Sequence, residues 1–181
     1  WDDRLRRLNV FHIDGSFGRS MGFSSLEDLP LLRVEGRLEG GGLLGSANEF
    51  PDTEMGTRRI RPDLRAVILE PTGDMRANVG SVPGREAMLE STGSSVNVLG
   101  IAFGRRGVAA VLGDRVLLAP TDRWSLPIHA SDGTLERRVR VDLPPAAITP
   151  EDQQAFIDQA IADAPEDIQP RLRGMYEEAP V

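Results

Sequence analysis

Three stretches of this chain line up on a glycine, and their spacing limits the fold more than any other feature. LNVFHIDGSFGRSMG (Leu8 to Gly22), AVILEPTGDMRANVG (Ala66 to Gly80) and LPIHASDGTLERRVR (Leu126 to Arg140) are anchored on Gly15, Gly73 and Gly133, which stand 58 and 60 positions apart. A period of that length means one supersecondary unit, built several times and stacked. Asp-Gly or Gly-Asp between β-rich runs supplies the positive φ of a two-residue primed turn, so each copy is expected to be a hairpin. Phe17, Met75 and Leu135, each two places after its glycine, are expected to face the neighbouring layer, with Arg19 and Arg137 pointing outwards. A lone hairpin is marginal in water, so further strands must lie beside each copy.

A second kind of hairpin supplies them. Leu31 to Glu35 and Leu43 to Ala47 flank Gly40-Gly41-Gly42, and Val108 to Leu112 and Val116 to Thr121 flank Gly113-Asp114-Arg115. Each precedes a glycine-anchored hairpin, which gives units of four antiparallel strands. The first copy, Leu5 to Phe23, is half a unit. Asn48 to Asp63 interrupts the first full unit and reads as an inserted loop, where Asp122-Arg123 suffices in the second. Arg85 to Arg106 links the full units and carries one apolar run, Val96 to Phe103, expected to be a strand with no assigned sheet.

After Asp142 the pattern changes. Pro144-Pro145 stops the last strand, and Thr149-Pro150-Glu151-Asp152 combines an N-cap, a proline at the first helical position and acids in the first turn. A second short helix is expected from Pro165 or Glu166 to Tyr176.

Repeated four-stranded antiparallel units suggest propeller blades. Leu8 to Gly22 and Phe103 to Val141 resemble the NHL-type and related bacterial six-bladed β-propellers: Arg115 to Ala119 stands where the second blade strand belongs, Arg123-Trp124 where the third begins, and Asp132-Gly133 at the outer turn. The resemblance implies an all-β partial propeller over residues 1–148, with an outer half-blade at 1–23 and blades at 31–84 and 107–142. Residues 149–181 would be a helical inter-blade segment. It further implies a fragment of a longer chain, whose first and last sheets expose apolar faces, and a location outside the cytoplasm. Trp1, where a methionine or leader would be expected, fits a start in mid-domain.

Composition narrows the function classes. Residues 1–148 are nearly neutral at −1 and residues 149–181 carry −6, which is a poor match for nucleic acid, where a basic footprint supplies most of the affinity. No apolar run approaches the roughly 18 to 20 residues of a spanning helix. The absence of cysteine removes disulfides, thiolate metal sites and thiol nucleophiles. All 21 basic residues are arginine, read first as a base-composition bias.

Few residues stand out as chemistry. Asp14, Asp74, Asp114 and Asp132 adjoin turn glycines, where aspartate serves local backbone hydrogen bonding. His12 and His129 sit one place out of register on equivalent strands and read as ordinary strand residues. Trp1 and Trp124, at the start of third strands, are expected to pack. The glycine-rich runs lack the spacing of a phosphate loop or dinucleotide fingerprint. Asp3, Asn48 and Asp122 occupy the loop between second and third strands, which in the resembling calcium-dependent lactonases of the regucalcin type holds metal-binding residues near the channel. Arg58, Arg59 and Arg61 are candidates for contact with an acidic partner.

The expectation is therefore a non-catalytic scaffold that needs no cofactor. It would bind a protein or small-molecule ligand through loops on one face, using Asn48 to Asp63 and the acidic helical segment. The alternative is a hydrolase of lactonase type using Ca2+ or another divalent ion; a purely structural stretch of a multidomain surface protein is the third reading.

Overall fold

The computed structural model describes residues 7–23, 26, 28–29, 32–50, 55–92, 95–144 and 146–178, so Trp1 and Asp3 lie outside the described residues. In chain order the strands are β1 (Arg7–Phe11), β2 (Phe17–Gly22), β3 (Arg33–Arg37), β4 (Leu43–Glu49), β5 (Gly56–Ile60), β6 (Asp63–Leu69), β7 (Met75–Pro83), β8 (Ala87–Ser91), β9 (Val96–Gly100), β10 (Gly107–Leu112), β11 (Arg115–Pro120), β12 (Ser125–His129) and β13 (Leu135–Arg140). Helices α1 (Pro150–Ala162) and α2 (Gln169–Glu178) follow. The sheets, all antiparallel, have the orders β1-β2, β3-β4-β6-β7, β10-β11-β12-β13 and β5-β8-β9, and none closes on itself. The chain divides into two compact units: one holds Trp1–Pro51, Pro62–Gly84 and Arg106–Val141, the other Asp52–Arg61, Arg85–Arg105 and Asp142–Val181.

In the first unit the middle sheet, β3-β4-β6-β7, is apolar on both faces, and strand alternation decides which side chain goes where. On β4, Leu43 and Ala47 enter one core and Leu44 the other; on β6, Val67 and Leu69 oppose Leu64, Ala66 and Ile68. The first core is completed by Leu8, Val10, Met21 and Phe23 from β1, β2 and the residue after them. Val116 and Leu118 of β11, with Ala109 and Val111 of β10, complete the second. Three sheets therefore stack face to face, with the middle one covered on both sides. Each fully buried aliphatic side chain contributes roughly 1.5–3 kcal/mol.

The anchor glycines build the hairpins, but not as two-residue primed turns. The N–H groups of Gly15, Gly73 and Gly133 donate to the carbonyls of His12, Glu70 and Ala130, and the N–H groups of those three residues donate to the carbonyls of Ser16, Asp74 and Thr134. Each loop thus has three residues with one positive φ, at the glycine (83°, 101° and 85°), as in a type I turn closed by a left-handed residue. Asp14 and Asp132 sit before that glycine, and their carboxylates accept from the N–H and hydroxyl groups of Ser16 and Thr134.

Each hairpin also carries the same one-residue bulge: Phe11 pairs with Phe17 but Val10 with Arg19, Leu69 with Met75 but Ile68 with Ala77, His129 with Leu135 but Ile128 with Arg137. The bulge moves Arg19 onto the Val10 face, towards the middle sheet rather than outwards. Phe17, Met75 and Leu135, the first residues of edge strands, are not buried against a neighbouring layer; they are 60%, 37% and 51% exposed.

A missing Cβ joins one sheet to the next. A Cβ on Gly73 would lie 2.4 Å from the Gly22 carbonyl oxygen at the end of β2, and one on Gly133 would lie 2.9 Å from the Asn78 carbonyl oxygen on β7. The inner turns meet as well, the Gly40 N–H donating to Asp114 Oδ1 (2.9 Å) and the Glu39 N–H to the Gly113 carbonyl (3.2 Å).

The second unit corrects the reading of Asn48 to Asp63 as a loop. Asn48 and Glu49 finish β4, and Gly56–Ile60 is a strand that pairs with β8, Arg58 opposite Leu89 and Ile60 opposite Ala87. The unassigned run from Val96 forms β9 on the other side of β8 and ends at Gly100, because Phe103 turns the chain with φ 53°. Thr149 caps the start of α1 as expected, and Asp152 caps it in return. The second helix starts later, at Gln169, after a turn in which the Ile168 N–H donates to the Pro165 carbonyl. Phe156 of α1 lies on Phe103 with ring centroids 5.4 Å apart.

Two alanine substitutions separate turn geometry from inter-sheet contact. At Gly15, whose Cβ position is open, alanine incurs left-handed strain alone, about 1–2 kcal/mol. At Gly73 the clash with Gly22 adds about 1–3 kcal/mol. Urea unfolding should rank Gly73→Ala well below Gly15→Ala, and equal losses would contradict the contact.

Candidate functional site

An apolar cleft of about 450 Å³ lies in the first unit between β1-β2 and the β3-β4 half of the middle sheet. Leu8, Val10, Met21, Val34 and Leu43 give it an apolar floor, and Arg19, Glu35 and Arg37 stand at its rim. Its origin is a strand count. β10 and β11 cover the facing strands of the middle sheet on one side, whereas β1-β2 has only two strands to offer on the other. Chemically the cleft suits an apolar body with an anionic group at the arginines.

The residues singled out from the sequence do not converge on this cleft. Asn48 lies half-buried on β4, opposite Leu64 of β6. Asp122 lies in the turn between β11 and β12 and accepts from Arg123 Nε at 3.4 Å. Asp3 lies outside the described residues, so the three cannot be assembled into a ligand set here. Among the described residues no three His, Asp or Glu side chains gather as a metal-binding group. His12 and His129 are on different hairpins, and His129 Nδ1 is 3.1 Å from the Gly133 carbonyl of its own turn. Trp124, expected to pack, is 54% exposed.

Arg58 and Arg59 belong to β5, and Arg61 follows it. The Arg59 Nη2 donates to Glu86 Oε2 at 3.2 Å, which makes that arginine part of a structural cluster. Glu86 is the polar centre of the second unit and nothing in the sequence marked it. Only 4% exposed, it accepts from Arg105 Nε (2.8 Å), the Arg105 backbone N–H (3.1 Å) and Arg59. Burial pushes its carboxyl up, but those hydrogen bonds outweigh burial and hold it below the ordinary value. The cluster ties β5 to the turn after β9.

The other perturbed carboxylates also serve strands and turns. Arg76 forks onto Glu70 (2.7 and 2.8 Å) and Arg115 onto Glu136 (2.6 and 3.0 Å), and each pair holds its glutamate below the usual range. Asp14 and Asp132 are lowered by the hydroxyl and then the N–H of Ser16 and Thr134. No helix among the described residues is long and apolar enough to cross a membrane.

No protein-family model matches the chain, and no curated protein or solved structure is found to be similar to it.

Replacing Glu86 by glutamine keeps the shape and removes the charge. About 1.5–3 kcal/mol of stability should be lost at neutral pH, the scale of a hydrogen bond to a charged group. Because the folded carboxyl titrates below its ordinary 4.5, this contribution is complete above that value and disappears as pH falls through the lowered folded one. Unfolding curves of the parent and Glu86→Gln should therefore converge towards low pH; a gap that persists or widens there would exclude the charge as the cause.

Proposed function

We propose that this chain is a segment of a β-propeller, similar to the NHL-type bacterial proteins, that acts as a non-catalytic scaffold binding a protein or small ligand outside the cytoplasm. The observation that supports it most is the regular stacking of antiparallel sheets: the same hairpin, bulge and turn glycine recur, and the turn glycine of each later sheet meets the outer strand of the sheet before it. Such a stack holds its loops rigidly at its ends, which is what a binding face needs. The resolved carboxylate–arginine pairs also favour a scaffold, since they join strands and turns to one another.

Binding would be carried by the loops and by elements outside the stack: Arg58 of β5, Arg61 just after it, and α1 with its C-cap, where Glu151, Asp158 and Asp163 are exposed. The competing reading is the divalent-ion hydrolase with Asn48 and Asp122 among its ligands.

A calcium titration separates them. For a scaffold, the unfolding midpoint is the same in calcium and in chelator, and a lactone is not turned over in either. A midpoint raised by calcium, together with lactone hydrolysis that chelator abolishes and Asp122→Ala reduces, would overturn the scaffold reading.

A further inference from the structure

The interface between consecutive sheets is used twice within the chain, and each end of the stack carries one unused half of it. Position relative to the turn glycine makes the halves comparable. Seven and five residues before Gly15, Leu8 and Val10 pack against the middle sheet. Nine, seven and five residues before Gly73, Leu64, Ala66 and Ile68 are buried under β10 and β11, with exposures of 8%, 0% and 0%. The corresponding side chains before Gly133 are Trp124, 54% exposed, and the half-buried Leu126 and Ile128. Leu126 and Ile128 share their face with Val139, Leu117 and Arg137 through direct cross-strand pairs, and neither belongs to a buried apolar cluster among the described residues. This is an accepting face without its occupant.

The other half stands at the opposite end. Four residues before and two after Gly73 stand Leu69, which enters the core shared with the preceding sheet, and Met75, which pairs directly with it and is 37% exposed. Around Gly15 the same places hold Phe11 and Phe17, edge to face with ring centroids 5.8 Å apart and exposed by 59% and 60%. Gly15 has the positive φ of its counterparts, yet none of the described residues lies within 4 Å of where its Cβ would be, whereas Gly73 and Gly133 each meet a strand carbonyl there. It is a docking turn with nothing to dock on.

We propose that these two faces are halves of one interface and that copies of this chain associate head to tail, the Phe11-Phe17 face and Gly15 turn of one copy seated on the Trp124-Leu126-Ile128 face of the next. A second copy fits because the chain itself carries the complementary half, with the same turn, bulge and alternation as the internal contacts. The chemistry matches: two exposed phenyl rings meet an aliphatic floor beside an indole, and Arg137, directly opposite Ile128, is placed on that face to lie over a ring. The association is heterologous, so a copy with one face blocked still carries the other. It goes beyond the scaffold reading and rests on the stack alone, so calcium-dependent hydrolysis would leave it untouched.

Sedimentation velocity on three proteins tests it. The parent chain should sediment as species larger than a monomer, growing with concentration. Phe17→Asp blocks one face and Trp124→Asp the other; both side chains are mostly exposed, and unchanged circular dichroism shows that each variant folds. Each alone should be monomeric, and an equimolar mixture should give a dimer that grows no further. A parent that stays monomeric, as it would if more of a longer chain filled these faces, overturns the proposal. So do single variants that still self-associate, or a mixture that stays monomeric.

Discussion

The first unit depends on a hydrogen atom standing where other residues carry a side chain. Gly73 and Gly133 bring one sheet's outer turn into contact with the backbone of the sheet before it, closer than any Cβ allows. That contact sets the distance at which Leu44, Ala66 and Ile68 meet Val116 and Leu118, and at which Leu43, Val67 and Leu69 meet Met21 and Phe23. The hydrophobic effect drives the sheets together without directing them, and the glycine turn, with the Gly40–Asp114 bond at the inner end, supplies the direction. One residue thus has two roles, since the positive φ that closes the hairpin also presents the bare α-carbon to the neighbour.

The second unit is held differently. Its apolar clusters are small, Ile60 with Ala87 and Leu89 on one side and Met88 with Ile101 on the other. A buried carboxylate compensates: Glu86 collects Arg59 from β5 and both the side chain and backbone of Arg105 from the turn beyond β9. Arg171 of α2 pairs with Glu90 of β8, and Phe156 of α1 rests on Phe103, so both helices are attached to this sheet or its adjoining turn.

The strands of the stacked sheets were legible because alternation and turn chemistry are local. The β-rich run before Gly73 announces a strand, and Asp132-Gly133 announces the turn of the third hairpin. The turn class was misread because one positive φ and two look alike in sequence, and the shared bulge was invisible for the same reason. β5 was missed because Pro51, Gly56 and three arginines mask it; only Ile60 is buried, and its partners on β8 lie beyond two intervening strands. Glu86 could not be found at all, since its partners come from either side of it in the chain. The binding candidates Asn48 and Asp122 followed from loop position, and a position without a converging ligand set carries little chemistry.

Stacking through turn glycines is read most directly in a NOESY spectrum of the labelled protein. The Gly133 α-protons should show a strong cross-peak to the Ala77 methyl, and the Gly73 α-protons one to the Phe23 ring, because the absent Cβ positions lie 3.3 and 3.5 Å from those carbons. Loss of both, with β10-β13 instead showing backbone contacts edge to edge with β3 or β7 as one continuous sheet, would contradict the account.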